Sequence, residues 1–281
     1  MPSLKKIGLT GSSGILGRCL IDNLKKENYS VHPYKNDILN KKKLGQWIND
    51  NQLDAILHLA AIVPTGTVKN NYLYSKKVNF NGTKNLVDGI RKNQKKKTYL
   101  FFSSSSHVYF YSNKKILEKD ECKGISKYGK TKILAEKYLI KNSKDYDLCI
   151  GRISSLTSEN QDKNYFLVNL VNKIFKKKKL IFGNSNIKRN FIHVEDVSNL
   201  IILLMKKRII GTYNISSLEI TSFYHLFDYL KKKYKMNIDY SKKTNETLVL
   251  SNSLLLKKIG KYRFIKLKEI IVRILKKKIK K

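Results

Sequence analysis

The chain has 281 residues, of which 58 are Lys or Arg and 21 are Asp or Glu, so its formal charge is +37. Its length fits one large domain or a large domain with a smaller appendage, and 41% hydrophobic residues suffice for a core, which excludes global disorder. No stretch has the about 18 apolar residues of a membrane span, no signal peptide precedes the first strand, and three scattered cysteines form no disulfide or metal pattern. We therefore expect a reduced, cytoplasmic, globular protein.

The first half of the chain alternates short apolar runs with helical patterns. The predicted strands are Lys6–Leu9, Ser30–Tyr34, Ala55–Ala60, Thr98–Ser103 and Asp147–Ile153. The predicted helices are Gly14–Lys26, Lys41–Asn49, Tyr72–Lys92 and Tyr128–Lys141. This alternation predicts an α/β fold, a doubly wound parallel sheet of the Rossmann type, over residues 1–154. From residue 155 the pattern loosens, with a helix at Phe166–Phe175 and a strand at Leu180–Phe182, which predicts a small mixed α/β cap over 155–281 with some interleaving between the two domains.

A glycine-rich turn lies between the first strand and the first helix. Gly11, Gly14 and Gly17 have a spacing that makes a tight turn, lets the backbone approach a pyrophosphate and lets helix pack on strand. The helix N-terminus then offers N–H groups to the phosphates. This turn, with Ser13 and Ile15 inside it, predicts dinucleotide binding.

A second motif joins a tyrosine and a lysine. Tyr128 and Lys132 are four residues apart on one helical face, so the ammonium can lie beside both the phenol and a bound ribose. We expect the cation to lower the pKa of the tyrosine toward working pH. The spacing alone means little in a chain with 51 lysines, but here it follows the glycine turn and a serine-rich strand end, Ser103 to Ser106.

Taken in order, these motifs resemble the extended short-chain dehydrogenase/reductase family, the NAD-dependent epimerase/dehydratase group that acts on nucleotide sugars in carbohydrate biosynthesis. The resemblance covers nearly the whole chain. Further similar segments are Asp37-Ile38, Asp54 to Ala61, Asn79 to Leu86, Arg152 to Ser155, Arg189 to Val197 and Gly211 to Ile215. Beyond the glycine turn, Tyr128 and Lys132, the resemblance implies NAD-binding roles for Asp37, Ile38, Leu59, Ala60, Ala61 and Asn79.

The resemblance also implies the catalytic and substrate roles. Ser105, three residues before Val108, would hydrogen-bond the reacting oxygen, Tyr128 would be the acid/base, and Lys132 would lower its pKa and hold the ribose. Arg189 would clamp the diphosphate of the sugar nucleotide, a task that suits a bidentate guanidinium. Ser155 stands where the family has a substrate-contacting Asn.

Several positions depart from the family pattern. Lys35 ends the second strand where an acidic residue commonly holds the adenosine ribose, so NADP stays open beside NAD. Ser106-His107 replaces the Asp-Glu pair of sugar dehydratases, which disfavours water elimination, and we expect the lone His107 to be structural. Phe110 replaces a usual glycine.

These features lead to a ranked set of functions. We predict a nucleotide-sugar epimerase, with a keto-sugar reductase as the alternative and a dehydratase as the less favoured one. A different class, a non-catalytic dinucleotide-binding or nucleic-acid-binding protein, is disfavoured by the intact Ser105, Tyr128 and Lys132. The resemblance also implies a homodimer through the helices around Tyr72–Lys92 and Tyr128–Lys141.

Three remaining features have an ordinary explanation that we prefer. The lysine excess is spread over several runs, Lys41 to Lys43, Lys95 to Lys97, Lys176 to Lys179, Lys231 to Lys233 and Lys276 to Lys278, which indicates biased composition and no specific nucleic-acid site. His193, Glu195 and Asp196 lack metal-ligand spacing, so we assign them structural roles and no metal. The apolar stripe from Leu267 to Leu275, followed by basic residues to Lys281, fits packing on the cap better than a membrane surface.

Overall fold

The computed structural model describes residues 5–63, 71–162, 164–175, 180–182, 185–241 and 246–279. The lysine run 176–179 and the terminal Lys280 and Lys281 lie outside these residues. Within the described ranges, no helix combines the length and the apolarity that crossing a bilayer requires.

Six parallel strands form the central sheet. They are β1 Lys6–Thr10, β2 Ser30–Tyr34, β3 Ala55–His58, β4 Thr98–Ser105, β5 Tyr146–Ile153 and β10 Gly211–Ile215. Their order is β10-β5-β4-β3-β1-β2, so β1 pairs with β2 on one side and with β3 on the other. The strand order reverses at β1, which opens a crevice beyond the carboxyl ends of β1 and β3. The predicted doubly wound Rossmann-type sheet is confirmed.

Helices cover both faces of this sheet. The helices are α1 Ile15–Lys26, α2 Lys41–Asn51, α3 Tyr72–Lys76, α4 Gly82–Asn93, α5 Lys127–Lys141, α6 Phe166–Phe175, α7 Val194–Lys206, α8 Phe223–Tyr234, α9 Ser253–Ile259 and α10 Leu267–Ile279. Successive strand residues point to opposite faces, so in β3 Leu57 packs with α1 and α7, whereas Ile56 packs with α2, α4 and α5. The near-continuous apolar runs of the strands follow from this burial on both sides.

The second part of the chain contributes both to the sheet and to a separate cap. The sixth strand β10 and the covering helix α7 come from beyond residue 154, so the sheet draws on both parts of the chain. The cap contains three short strand pairs: β6 Ser155–Thr157 with β9 Phe191–His193, β7 Leu180–Phe182 with β12 Ile238–Tyr240, and β8 Lys188–Arg189 with β11 Thr221–Ser222. Residues of α6, α8 and α10 form its own hydrophobic core.

The apolar stripe of the last helix is part of that cap core. Leu267, Ile270, Ile271 and Ile274 are all buried. The helix therefore uses its apolar face for packing inside the protein, as preferred from the sequence, and this face is not open to a membrane surface.

Several predicted elements end one or two residues from the observed ends, and two of the differences lie near the cavity. The predicted strand Ala55–Ala60 ends at His58, because the next residues leave the sheet and the Ala60 N–H donates to the Thr10 hydroxyl. The predicted helix Tyr72–Lys92 is divided by a π-helical turn, Lys77–Asn81. Such turns are rare in proteins, and those that occur are often found at functional sites.

Candidate active site

One cavity of about 700 Å³ lies at the carboxyl edge of the sheet, between the sheet and the cap. The glycine turn, the end of β4 and the start of α5 form one side of it. The segment after β5, the start of α6 and the strands β8 and β9 form the other. Of the sequence-predicted site residues, those lining it are Gly11, Ser13, Gly14, Ile15, Gly17, Leu59, Ala61, Ser105, Tyr128, Lys132, Ser155 and Arg189.

The glycine turn is packed too closely for side chains. Gly11 has φ +74°, and a Cβ atom there would lie 2.7 Å from the backbone nitrogen of Ala60. A Cβ atom at Gly17 would lie 2.3 Å from the carbonyl oxygen of Gly11. These contacts hold the turn against the sheet at the N-terminus of α1 and beside the cavity, a placement that suits the pyrophosphate of a dinucleotide.

Four predicted NAD-binding residues are not among those that line the cavity. Asp37 lies on the exposed turn after β2, where its carboxylate accepts a hydrogen bond from the Leu39 N–H group at 2.9 Å. Ile38 is buried and contacts the position of Gly82. The Ala60 N–H donates to the Thr10 hydroxyl, and Asn79 is buried with its side chain bonded to the Ile62 backbone. Direct contact of these four with a dinucleotide remains a prediction.

Asn79 belongs instead to a buried chain of hydrogen bonds that begins at Thr10. The Thr10 hydroxyl and His58 Nδ1 are 2.7 Å apart, and His58 Nε2 and the Thr83 hydroxyl are 2.9 Å apart. The Thr83 hydroxyl donates to the Asn79 carbonyl oxygen at 2.8 Å, and the Asn79 side chain donates to the Thr131 hydroxyl at 3.1 Å.

The donor and acceptor directions of these hydrogen bonds fix the tautomer of His58. Since Thr83 uses its own hydrogen on Asn79, it accepts from His58 Nε2–H, and His58 Nδ1 accepts from Thr10. Burial, followed by the charge of Lys132, lowers the pKa of His58 to about 3, so the ring is neutral. The chain continues from Thr131 to the Tyr128 carbonyl oxygen at 2.7 Å and thus connects the glycine turn with the start of α5.

Ser105, Tyr128 and Lys132 meet on the same wall of the cavity. The Ser105 hydroxyl oxygen accepts the His107 N–H at 3.2 Å, which leaves its own hydrogen for another acceptor. Lys132 is buried, and its ammonium donates to the Ser103 carbonyl oxygen at 2.7 Å and lies 5.8 Å from the centre of the Tyr128 ring. The structure therefore brings the predicted serine, tyrosine and lysine together at one place in the cavity.

The expected lowering of the tyrosine pKa is wrong for this arrangement. Burial raises the pKa of Tyr128, and the neighbouring Tyr165 phenol adds to the increase. Burial also lowers the pKa of Lys132 to about 7, although the Glu136 carboxylate opposes this. Burial therefore disfavours the charged form of both groups, so the phenol is protonated at neutral pH.

A buried ion pair supports this wall from behind. The Arg152 guanidinium donates to both carboxylate oxygens of Glu136, with its shortest contact at 2.7 Å, and also to the Tyr109 hydroxyl at 2.8 Å. Glu136 in turn accepts from the Ser104 hydroxyl. Arg152, whose motif pointed toward substrate in the sequence, therefore anchors α5 to β4 and β5, and it is not among the cavity-lining residues.

The cap side of the cavity combines one cation with aromatic rings. The Arg189 guanidinium lies 5.6 Å from the centre of the Tyr111 ring, and burial lowers its pKa. Phe166, Phe191 and Phe223 line the same region in nearly parallel planes, the closest pair having centroids 4.6 Å apart. The sequence reasoning missed this aromatic group, because the three residues come from α6, β9 and α8.

His193 has partners for both ring nitrogens. Nε2 lies 2.9 Å from the Glu159 carboxylate, and Nδ1 accepts the Glu195 N–H at the start of α7. Glu159, His193 and Glu195 have ligand atoms within 4.8 Å of one another, but a metal needs the lone pair that Nδ1 uses for the helix cap. Asp196 accepts from the Tyr262 hydroxyl and the Ile265 N–H, each at 3.0 Å. The geometry supports structural roles for all three predicted residues.

Comparison with known proteins identifies the family of this chain. The model of the NAD dependent epimerase/dehydratase family matches residues 7–216, about three quarters of the chain. The chain belongs to this family.

Particular relatives show how wide the likeness is. A candidate UDP-glucose 4-epimerase of Methanocaldococcus jannaschii is 29% identical in an alignment 249 residues long that covers 79% of this chain and 80% of the relative. A GDP-6-deoxy-D-talose 4-dehydrogenase of Aggregatibacter actinomycetemcomitans is 28% identical in an alignment 233 residues long that covers 80% of this chain and 79% of the relative. The structure of a Thermotoga maritima UDP-glucose 4-epimerase with UDP-glucose has a TM-score of 0.86 at 21% identity and covers 98% of this chain and 99% of that one.

Proposed function

We propose that the chain is a nucleotide-sugar epimerase that uses a nicotinamide dinucleotide. The observation that carries this proposal is that one cavity joins a glycine turn shaped for a pyrophosphate to Ser105, Tyr128 and Lys132, with Arg189 opposite them. The names of the relatives, a UDP-glucose epimerase and a GDP-sugar dehydrogenase, support a nucleotide sugar as substrate. In this proposal residues 1–154, together with the interleaved β10 and α7, hold the dinucleotide, and the rest of residues 155–281 forms the substrate cap.

Each of this chain's residues has a defined task. Arg189 binds the diphosphate of the substrate, while Ser105 and Tyr128 hydrogen-bond one sugar hydroxyl. Burial keeps the Tyr128 phenol protonated, so it first releases its proton to solvent; the phenolate then takes the proton of that hydroxyl as the sugar is oxidised, and the phenol so formed returns it after the keto-sugar has turned over. Lys132, when protonated, supplies positive charge that stabilises the phenolate. The dinucleotide, when bound at the glycine turn, supplies the acceptor and donor of the hydride.

Turnover with the protein's own dinucleotide tests the proposal. The purified chain should interconvert UDP-glucose and UDP-galactose, or another nucleotide-sugar pair in a screen, without added cofactor. Tyr128→Phe should lower kcat about 10³-fold, in the range of general acid–base catalysis. The matched control, Tyr224→Phe on the exposed surface of the cap, should keep wild-type rates. Full activity of Tyr128→Phe would show that Tyr128 is not the acid/base.

A keto-sugar reductase is the second candidate, and two observations favour it. Burial keeps the Tyr128 phenol protonated, which is the form that donates a proton to a carbonyl oxygen as it is reduced. Lys35 is exposed beyond β2, and the Lys43 ammonium lies 3.3 Å from the neighbouring Asn36 side chain, so two cations are available for the 2′-phosphate of NADP. Stoichiometric consumption of NADPH with a nucleotide keto-sugar would select this candidate.

We also propose that the protein is a homodimer through α3 and α5. Leu73 and Tyr74 on α3 and Ile140 on α5 are exposed, at 78%, 46% and 53% of their surface. Burying such side chains against a second copy would remove apolar surface from water. Sedimentation of the wild type should give a dimer, and Leu73→Glu together with Ile140→Glu should give a folded monomer. Dimeric behaviour of that variant would place the interface elsewhere.

A further inference from the structure

His107 lies on the catalytic wall at a position where the chain departs from the family pattern. It follows Ser105 by two residues, is half-buried and lines the cavity. Its imidazole meets the Tyr128 ring edge to face, with the centroids 5.9 Å apart and the planes at 76°. Its backbone N–H donates to the Ser105 hydroxyl oxygen at 3.2 Å. The ring thus stands beside both residues proposed to touch the reacting oxygen.

The backbone of His107 is locked to the start of the catalytic helix. A Cβ atom at Gly129 would lie 1.9 Å from the His107 carbonyl oxygen, so the helix approaches as closely as only a glycine permits. The same carbonyl accepts the Ile125 N–H at 3.1 Å. Because Gly129 follows Tyr128 directly, the positions of the imidazole and the phenol are fixed relative to one another.

Ser126 determines which ring nitrogen carries the hydrogen. Its hydroxyl oxygen accepts the Gly129 N–H at 3.0 Å as the cap of α5, and it lies 3.0 Å from His107 Nδ1. The arrangement that uses every hydrogen has the Ser126 hydroxyl donating to Nδ1, which leaves the ring proton on Nε2. Among the described residues, Ser126 is the single hydrogen-bond partner of this ring.

The imidazole is also uncharged. Burial, followed by the positive charge of Arg189, lowers the pKa of His107 to about 4. A neutral ring with Nδ1 engaged can donate a hydrogen bond through Nε2, but it has no free lone pair with which to take a proton from carbon.

We propose that His107 is a further catalytic residue, whose neutral Nε2–H group donates a hydrogen bond to the reacting oxygen of the substrate beside Ser105 and Tyr128. This inference rests on the proposed function and deepens it. The Ser105 and His107 donors stabilise the charge that develops on this oxygen as its proton moves to or from Tyr128. The same arrangement serves proton transfer at oxygen, in an epimerase or a reductase, and gives no base for eliminating water.

Two substitutions separate the hydrogen bond from the shape of the ring. His107→Leu removes the donor, whereas His107→Gln can place an amide N–H near the position of Nε2. We expect His107→Leu to lower kcat about 100-fold with an unchanged dinucleotide Kd, and His107→Gln to recover at least ten-fold of that loss. The control is His225→Leu on the exposed side of α8, which should keep the wild-type kcat. Wild-type kcat in His107→Leu overturns the proposal.

A second measurement does not depend on turnover. In protein with ¹⁵N-labelled histidine, the His107 resonances, assigned from their loss in His107→Gln, should report a neutral Nε2–H ring at pH 7. Adding UDP-glucose to the dinucleotide-loaded Tyr128→Phe variant should shift the Nε2 resonance. An imidazolium, an Nδ1–H ring or an unchanged Nε2 resonance at saturating UDP-glucose each overturns the proposal.

The two proposals fail in different ways. If Tyr128→Phe is inactive while His107→Leu is fully active, the proposed function stands and the role of His107 is wrong. If the wild type turns over no nucleotide sugar but the Nε2 resonance shifts with UDP-glucose, the contact is supported and the proposed reaction is wrong.

Discussion

The two ends of the cavity are built in different ways. At the glycine end, backbone meets backbone, and a single added carbon at Gly17 would lie 2.3 Å from a carbonyl oxygen. At the cap end, the wall consists of side chains, chiefly Arg189 and three stacked phenylalanines from separate elements. A backbone wall accepts one shape of ligand and tolerates almost no substitution, whereas a side-chain wall can be altered one residue at a time. The difference explains why the glycine turn follows the family pattern, whereas the cap end departs from it at Ser155.

The largest expected effect concerns Lys132, which lies between the two ends. Its pKa in the folded chain is about 7 against an ordinary 10.5, and that difference corresponds to about 5 kcal/mol. Because the unfolded chain holds this proton up to pH 10.5 and the folded chain only to about 7, Lys132 costs stability at neutral pH and the cost disappears as pH rises. Lys132→Met should therefore be inactive yet more stable than the wild type at pH 7. The gain in unfolding free energy is reduced by the contribution of the hydrogen bond to Ser103, which the variant loses.

Denaturant unfolding at several pH values checks this prediction. The difference in unfolding free energy between Lys132→Met and the wild type should shrink between pH 7 and pH 10. A difference that stays constant over this range would mean that Lys132 is charged in the folded protein throughout, and that burial does not set its pKa.

A smaller effect is expected at His58, in the chain beneath the glycine end. His58→Leu leaves the Thr10 and Thr83 hydroxyls without their partner and should lower the unfolding free energy by about 3 kcal/mol at pH 7. The folded pKa of about 3 lies below the ordinary 6.5, so the wild type gains its full stability from this group above pH 6.5 and loses it as pH falls. Between pH 6 and pH 4 the unfolding free energy of the variant should fall less than that of the wild type.

His32 provides the control for this measurement. It lies on β2 with its Nε2 atom 2.9 Å from the Ser30 hydroxyl at an exposed site, so His32→Leu should change the unfolding free energy little. An equal loss of unfolding free energy in both variants would mean that the buried hydrogen bonds of His58 contribute no more to stability than an exposed one.

Gly17→Ala tests the backbone wall itself. Overpacking against the Gly11 carbonyl should cost about 1–3 kcal/mol, which we expect to appear as a roughly ten- to hundred-fold weaker Kd for NAD(H). Gly45→Ala is the matched control, because its added carbon meets only the end of the Asn93 side chain, at 3.1 Å, within helix α2. Equal NAD(H) affinity in Gly17→Ala and the wild type would contradict the close packing of the turn.

The smallest effect is expected at the cap end. Phe223→Leu removes one ring of the aromatic wall and should raise KM for the nucleotide sugar by about three- to ten-fold, while the Kd for NAD(H) stays unchanged. Tyr224→Leu, on the exposed side of the same helix, should leave both constants unchanged. A weaker Kd for NAD(H) in Phe223→Leu would show that the two ends are not separate sites.

The sequence by itself determined five of the six strands of the sheet, most helices and the glycine end. Alternating apolar strands and helices identify a parallel sheet without reference to the rest of the chain, and the turn at Gly11 to Gly17 is local. The grouping of Ser105 with Tyr128 and Lys132 could also be predicted, because the end of a strand and a four-residue spacing on a helix are both local sequence patterns, and together they resemble those of a known family. These features depend on neighbours along the chain.

Only the tertiary structure decided what depends on neighbours in space. The pairing of Glu136 with Arg152, the close approach of Gly129 to His107 and the stacking of Phe166 on Phe223 each join separate elements. Burial, which raises the pKa of Tyr128 against the expected effect of Lys132, likewise follows from packing of the whole domain. Desolvation is set by everything that surrounds a group, so the spacing of two residues on a helix could predict their meeting but not their protonation.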